Sequence, residues 1–227
     1  MKERDNAYSG AEGERLELGW KNLFTTLWQE VFPLVKANLC FLLFCLPVIT
    51  IPAAFCAMHG VCTDGIRSLR KGIFRSFWDT IRSELLRAWG VMLPLGGVFA
   101  VAAAGAGFYF SERPWGLISL GPGLLLSSIA LTCLMALPYA FTMLARMELR
   151  LPQLLKNALL LVFLNFKFSV CGGVLVTAIV AVQVLWWLYA IPAILLIGIS
   201  LAFYFSTYFA FYGLQRFVLT EPLHRMD

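Results

Sequence analysis

A chain of 227 residues that is 60% hydrophobic and only 14% charged, with a mean hydropathy of +0.78, holds more apolar surface than a soluble core of this size needs. Its net charge of +5 comes from basic residues scattered between apolar runs rather than gathered in one stripe, which argues against nucleic acid as a partner and for a membrane-topology signal. The six cysteines form no CxxC pair and all lie in or beside apolar runs, so they read as small packing residues rather than a disulfide or metal framework.

In chain order, residues 1–15 read as a polar, disordered N-terminus of mixed charge without signal-peptide architecture, so the first apolar crossing is expected to act as its own signal. From Leu16, Trp20, Leu23, Leu27 and Val31 recur at helical spacing and predict a surface helix. Apolar stretches follow at 35–51, 53–66, 88–110, 115–145, 168–189 and 192–215. A spanning helix takes about 20 residues. The last four stretches satisfy this and the first two fall short, the first reaching roughly 25 Å. Pro47 and Pro52 break this region. One kinked helix would put Lys36 and Arg67 on opposite sides, so the prediction is a short hairpin, 35–51 and 52–69, turning near Thr50. Thr50 is placed to cap the second helix, with Pro52 in its first turn.

Next, Phe74, Phe77, Trp78, Ile81, Leu85 and Trp89 share one helical arc, with Arg75, Asp79, Arg82, Glu84 and Arg87 on the other. This predicts an amphipathic helix along the membrane surface before the chain turns inward. Leu155, Leu159, Val162 and Phe166 repeat the pattern after Pro152, suggesting three units of surface helix plus two crossings. With both termini cytoplasmic, Arg113 is the one basic residue left outside, and Tyr109, Trp115, Trp186, Trp187 and Tyr189 flank the expected outer loops. The predicted fold is thus all-α: a polytopic bundle of six transmembrane helices with cytoplasmic interfacial helices, as one membrane domain over 16–217 and a polar C-terminal tail over 218–227.

Three polar residues fall at membrane depth. His59 is a functional candidate by position, although a neutral imidazole bonded to a neighbouring helix is the plainer account. Asp64 has Arg67 three residues on as an ion-pair partner. Gln183 fits interhelical hydrogen bonding. The two histidines, His59 and His224, are far apart, and no paired carboxylates or nucleophile–base arrangement stands out, so no enzyme, metal or cofactor is expected. The small residues of "GVFAVAAAGAGF" (97–108) read as helix contacts, not a phosphate cradle.

"KANLCFLLFCLPVITIPAA" (36–54), "FRSFWDTIRSELLRA" (74–88), "LARMELRLPQLLKNALLL" (144–161) and the closing "QRF" (215–217) together resemble the YesL-type family of bacterial membrane proteins, a domain of unknown function. The matching positions are Asn38, Leu46, Pro47, Thr50, Phe77, Trp78, Arg146, Lys156 and Asn157. The glycine usual after "LPVVTI" is missing, because Ile51 is followed directly by Pro52. The resemblance implies a small multi-pass protein of the plasma membrane, often encoded beside carbohydrate-uptake systems, with no known activity.

The functional expectation is a non-enzymatic accessory protein. Its basic, aromatic cytoplasmic face (Arg67, Arg70, Arg75, Trp78, Arg82, Arg146, Lys156 and Asn157) would bind membrane lipids or a protein partner such as a sugar ABC transporter component. The alternative is a small-solute transporter or channel whose pathway runs near the first hairpin and uses His59, Asp64 and Gln183.

Overall fold

The computed structural model describes residues 20–67, 72–111, 116–147, 149–185 and 197–217. Among them every regular element is helical. The α-helices are α1 (Trp20–Cys45), α2 (Ile51–Ile66), α3 (Ile73–Ser111), α4 (Leu120–Arg146), α5 (Leu151–Leu164), α6 (Phe166–Leu185) and α7 (Ile199–Phe217). Short 3₁₀ turns precede α2 (Val48–Thr50) and α4 (Gly116–Ser119), the latter opening on Gly116 in the left-handed region at φ 62°.

Neighbouring helices fold back on one another. Phe41 meets Phe55, with ring centres 5.6 Å apart, and a Cβ on Gly65 would lie 3.2 Å from Glu30 Oε2, so α1 and α2 run in opposite senses. The same reasoning makes α3 and α4 antiparallel, since Gly105 abuts Leu126 and Gly123 abuts Phe110. It also pairs α6 with α7, where Phe168 meets Tyr212 and Gly172 abuts Phe209. Between pairs, Phe55 and His59 face Phe203 and Thr207, so α2 and α7 run the same way. Helices α1 and α6 thus oppose α2 and α7, and α3 opposes α4.

The core is built around α2 and α7. Ala53, Ala54, Cys56, Ala57 and Met58 of α2 pack with Phe141 and Met143 of α4 and with Tyr204 and Leu214 of α7. Helix α6 is peripheral, burying only Ser169 and Gly172. Outward faces carry large apolar side chains such as Phe32, Leu86, Leu93, Val101 and Leu185, a surface suited to hydrocarbon rather than water. All six cysteines are free thiols.

Several expectations change. Among the described residues four stretches are long and apolar enough to cross a membrane: Val48–Ile66, Ile73–Ser111, Leu120–Arg146 and Phe166–Leu185. The count of six crossings is not confirmed, because the predicted crossings 168–189 and 192–215 run partly outside the described residues. The predicted surface helix at 73–89 does not turn before the crossing at 88–110: both belong to α3, whose 39 residues extend about 58 Å. The first surface helix and first crossing merge likewise in α1. In the third unit α5 and α6 are separated by Asn165 alone, and Asn165 N–H to Leu161 O and Ser169 N–H to Asn165 O, both 2.9 Å, carry the hydrogen-bond ladder across.

Thr50 does occupy the position before α2, with Pro52 in the first turn, but its hydroxyl makes no cap bond there. It turns back and donates to the carbonyls of Phe44 and Pro47, closing the end of α1. Arg113, Trp115, Trp186, Trp187 and Tyr189, and the segments 1–15 and 218–227, lie outside the described residues.

Candidate functional site

The polar residues predicted at membrane depth fall into different surroundings. His59 is buried in α2, its ring stacked on Phe141 (6.1 Å, 7°) and edge-on to Phe203 (5.0 Å). Its Nδ1 shares a 2.7 Å hydrogen bond with the Thr207 hydroxyl of α7. One turn on, the Thr63 hydroxyl donates to the His59 carbonyl at 2.7 Å. These contacts fix the ring and join two central helices.

Asp64 does not rely on Arg67. Its Oδ1 lies 2.7 Å from Arg146 Nη2 of α4, and the same nitrogen donates to Gly60 O at 2.6 Å. Arg146 is therefore removed from the exposed cationic face on which it was expected: one guanidinium ties a carboxylate and a main-chain carbonyl of α2 to the end of α4. Burial explains the choice, because a carboxylate inside the bundle needs a partner equally withdrawn from water, whereas Arg67 closes the helix at its rim.

Gln183 holds neither of these residues. Its Nε2 donates to Gly198 O at 3.0 Å, linking α6 to the turn that opens α7. Fully buried Asn38 of α1 completes that turn by accepting the Ser200 N–H at 3.1 Å. A third polar cluster joins α4, α6 and the α5–α6 break: Asn165 Nδ2 donates to Tyr139 Oη (3.1 Å), which shares a 2.7 Å bond with Ser169 Oγ. The sequence reading singled out neither Thr207 nor this triad, since Thr, Ser and Tyr within apolar helices give no signal until their partners are known.

The cationic face divides. Arg75, Arg82 and Lys156 are exposed, as is Trp78, while Asn157 is half-buried on α5. Arg75 faces Asp79 at 3.7 Å with the two side chains 89% and 65% exposed, a pair that contributes little. Arg70 lies outside the described residues. Arg87 turns inward, donating to Glu84 Oε2 (2.9 Å) and to Leu149 O (2.7 Å).

One arrangement departs from the predicted topology. Phe44, in the last turn of α1, stacks on Phe77 (6.0 Å, 7°) and lies 5.6 Å from Phe74 and 6.2 Å from Trp78. The Trp89 indole N–H donates to Ile49 O at 2.8 Å. The turn between α1 and α2 therefore rests on the amphipathic first half of α3, whereas the six-crossing layout puts Pro47 and Thr50 on the opposite side of the membrane from Phe77 and Trp78.

Residues 34–105 match the family described as "Protein of unknown function, DUF624", which is the family the sequence motifs resemble. The match takes in the second half of α1, all of α2 and most of α3. No curated protein and no solved structure matches the chain.

Proposed function

We propose that this chain, with its DUF624 segment at the core of the fold, is a multi-pass protein of the plasma membrane that acts as a non-enzymatic accessory, holding a protein partner against its cytoplasmic surface. The observation that carries the reading is the division among its polar groups. Arg146 and Asp64 join α4 to α2, and His59 and Asn38 each bond to α7 inside the bundle, while Arg75, Arg82 and Lys156 remain exposed and available. Interior polar groups paired in this way hold a scaffold; exposed cations recruit.

The membrane reading draws on the outward apolar faces and on the antiparallel pairing of neighbouring helices. The basic residues at the C-terminal end of α4 (Arg146 and Arg150) and near the start of α3 (Arg75 and Arg82) support a cytoplasmic side for both, in keeping with cytoplasmic termini. The association of the resembled family with carbohydrate uptake makes a component of a sugar ABC transporter the first partner to test. Transport by the chain itself would ask His59 and Gln183 to share a route. His59 is closed in by Phe141, Phe203 and Thr207, and Gln183 is bonded to the opening turn of α7, so the geometry favours the accessory role.

A photo-crosslinker at exposed Ser83, on the polar arc of α3, is expected to capture one defined protein from native membranes, and Arg82→Glu with Lys156→Glu to abolish that capture. Recovery of lipid adducts alone would overturn the accessory reading.

A further inference from the structure

The α1–α2 turn exposes Leu46 (77%), Val48 (71%) and Ile49 (62%), continuing the outward row of Leu39 and Leu43 on α1. Beside them α3 exposes Phe74 and Trp78, with the exposed Arg82 one turn on, before Leu86 and Leu93 further along the helix. Arg75 and Arg82 border this patch. The parts are fastened together through Phe44, against Phe74, Phe77 and Trp78, and through Trp89, bonded to Ile49. Two residues from Trp89, Arg87 holds Leu149 of the α4–α5 link, so one stretch of α3 ties the turn and the Arg146–Arg150 link to the same end of the bundle.

We infer that the α1–α2 hairpin is re-entrant: its turn, with Phe74 and Trp78, forms a wedge seated in the cytoplasmic leaflet, and its partner is phospholipid with anionic headgroups. Lipid is the occupant because the patch continues into the outward apolar row of Leu39 and Leu43 on α1, which a soluble partner would not cover. The composition also suits the interface: aliphatic side chains at the tip, an amphipathic Trp beside them, and Arg side chains whose stems lie along apolar surface while their guanidinium groups reach phosphate. Thr50, bonding back to the Phe44 carbonyl at the end of α1, satisfies a main-chain acceptor that hydrocarbon leaves without a donor. The inference rests on the membrane reading but not on the existence of a protein partner.

The test has two arms, both on the full chain in bilayers of phosphatidylcholine containing phosphatidylglycerol. In the first, brominated lipids quench the tryptophan fluorescence of the native chain and of Trp78→Phe; the native chain is expected to show an additional shallow-depth component that the variant loses. In the second, Val48→Cys and Ser83→Cys, in a chain whose native cysteines are replaced, are challenged with a membrane-impermeant maleimide from each side. Val48→Cys should react only from the side that labels Ser83→Cys, or from neither. Labelling of Val48→Cys from the opposite side would overturn the inference, as would equal quenching of the native chain and Trp78→Phe, which would mean that protein covers the patch. Absence of quenching from every tryptophan would overturn the membrane reading as well. The first arm retains the native cysteines and decides the matter if the substituted chain fails to fold.

Discussion

Arg146 of α4 and Asp64 of α2 are 82 positions apart in the chain and meet at 2.7 Å, with side chains only 16% and 10% exposed. Removing one member of such a pair leaves the other charge stranded and costs roughly 3–5 kcal/mol, whereas replacing both by apolar residues of similar volume is close to neutral. Arg146→Met should therefore sharply lower the unfolding midpoint in detergent, and the double variant Asp64→Leu with Arg146→Met should recover most of the loss. A single variant as stable as the native chain would mean the pair is not a tie between the helices.

His59 and Thr207 provide a second tie, between α2 and α7. Interhelical hydrogen bonds within membranes are worth about 0.6 kcal/mol on average and up to about 1.7. A double-mutant cycle of His59→Leu and Thr207→Val should return a coupling within that range in reversible unfolding. A coupling indistinguishable from zero would show that the two side chains act independently.

Gly172 and Gly173 are adjacent but should respond differently to alanine. A Cβ at Gly172 would sit 2.9 Å from Cγ and Cδ2 of Phe209 and 3.0 Å from its Cβ, the root of a side chain that cannot swing away. At Gly173 the nearest atom is Met135 Cε, at 2.9 Å, the movable tip of a flexible side chain. Gly172→Ala should lose about 1–3 kcal/mol by overpacking the α6–α7 contact, and Gly173→Ala clearly less. Equal losses measured by thermal unfolding would contradict this account.

The existence of helices was legible because long apolar runs and 3.6-residue periodicity both report a helix in lipid. The continuity of α3 was not. The charges from Arg75 to Arg87 mark where a helix leaves hydrocarbon, and that change of solvent was read as a change of direction, although the backbone ladder runs on unaffected. Thr50 was recognisable as a boundary residue, but a hydroxyl can serve either the helix that begins or the helix that ends, and only the fold settles which. The same limit hid the site's pairing. Asp64 has a cation three residues away, and nothing local reveals that burial selects a distant one. Asn38 and Thr207 look like occasional polar residues in apolar helices until α7 is placed against α1 and α2.

The position of the α1–α2 turn depends on Trp89, whose indole N–H is the donor that α3 offers to Ile49 O, at 2.8 Å. Trp89→Phe keeps an aromatic ring against the turn while removing the donor together with the fused ring of a half-buried indole, so the carbonyl loses its partner at a modest cost in packing. A neutral hydrogen bond contributes about 1 kcal/mol net, which corresponds to roughly a fivefold change in a local opening equilibrium. Amide exchange over the 3₁₀ turn Val48–Thr50 should therefore quicken by about that factor. The amides around Asp64 and Arg146 should be unaffected, because their tie is made by the guanidinium rather than through the turn. Thr50 N–H, bonded to Pro47 O at 3.0 Å, is the most direct reporter. If its exchange were unchanged in the variant, the turn would be held by Phe44 packing on Phe74, Phe77 and Trp78, and the indole bond would be incidental to its placement.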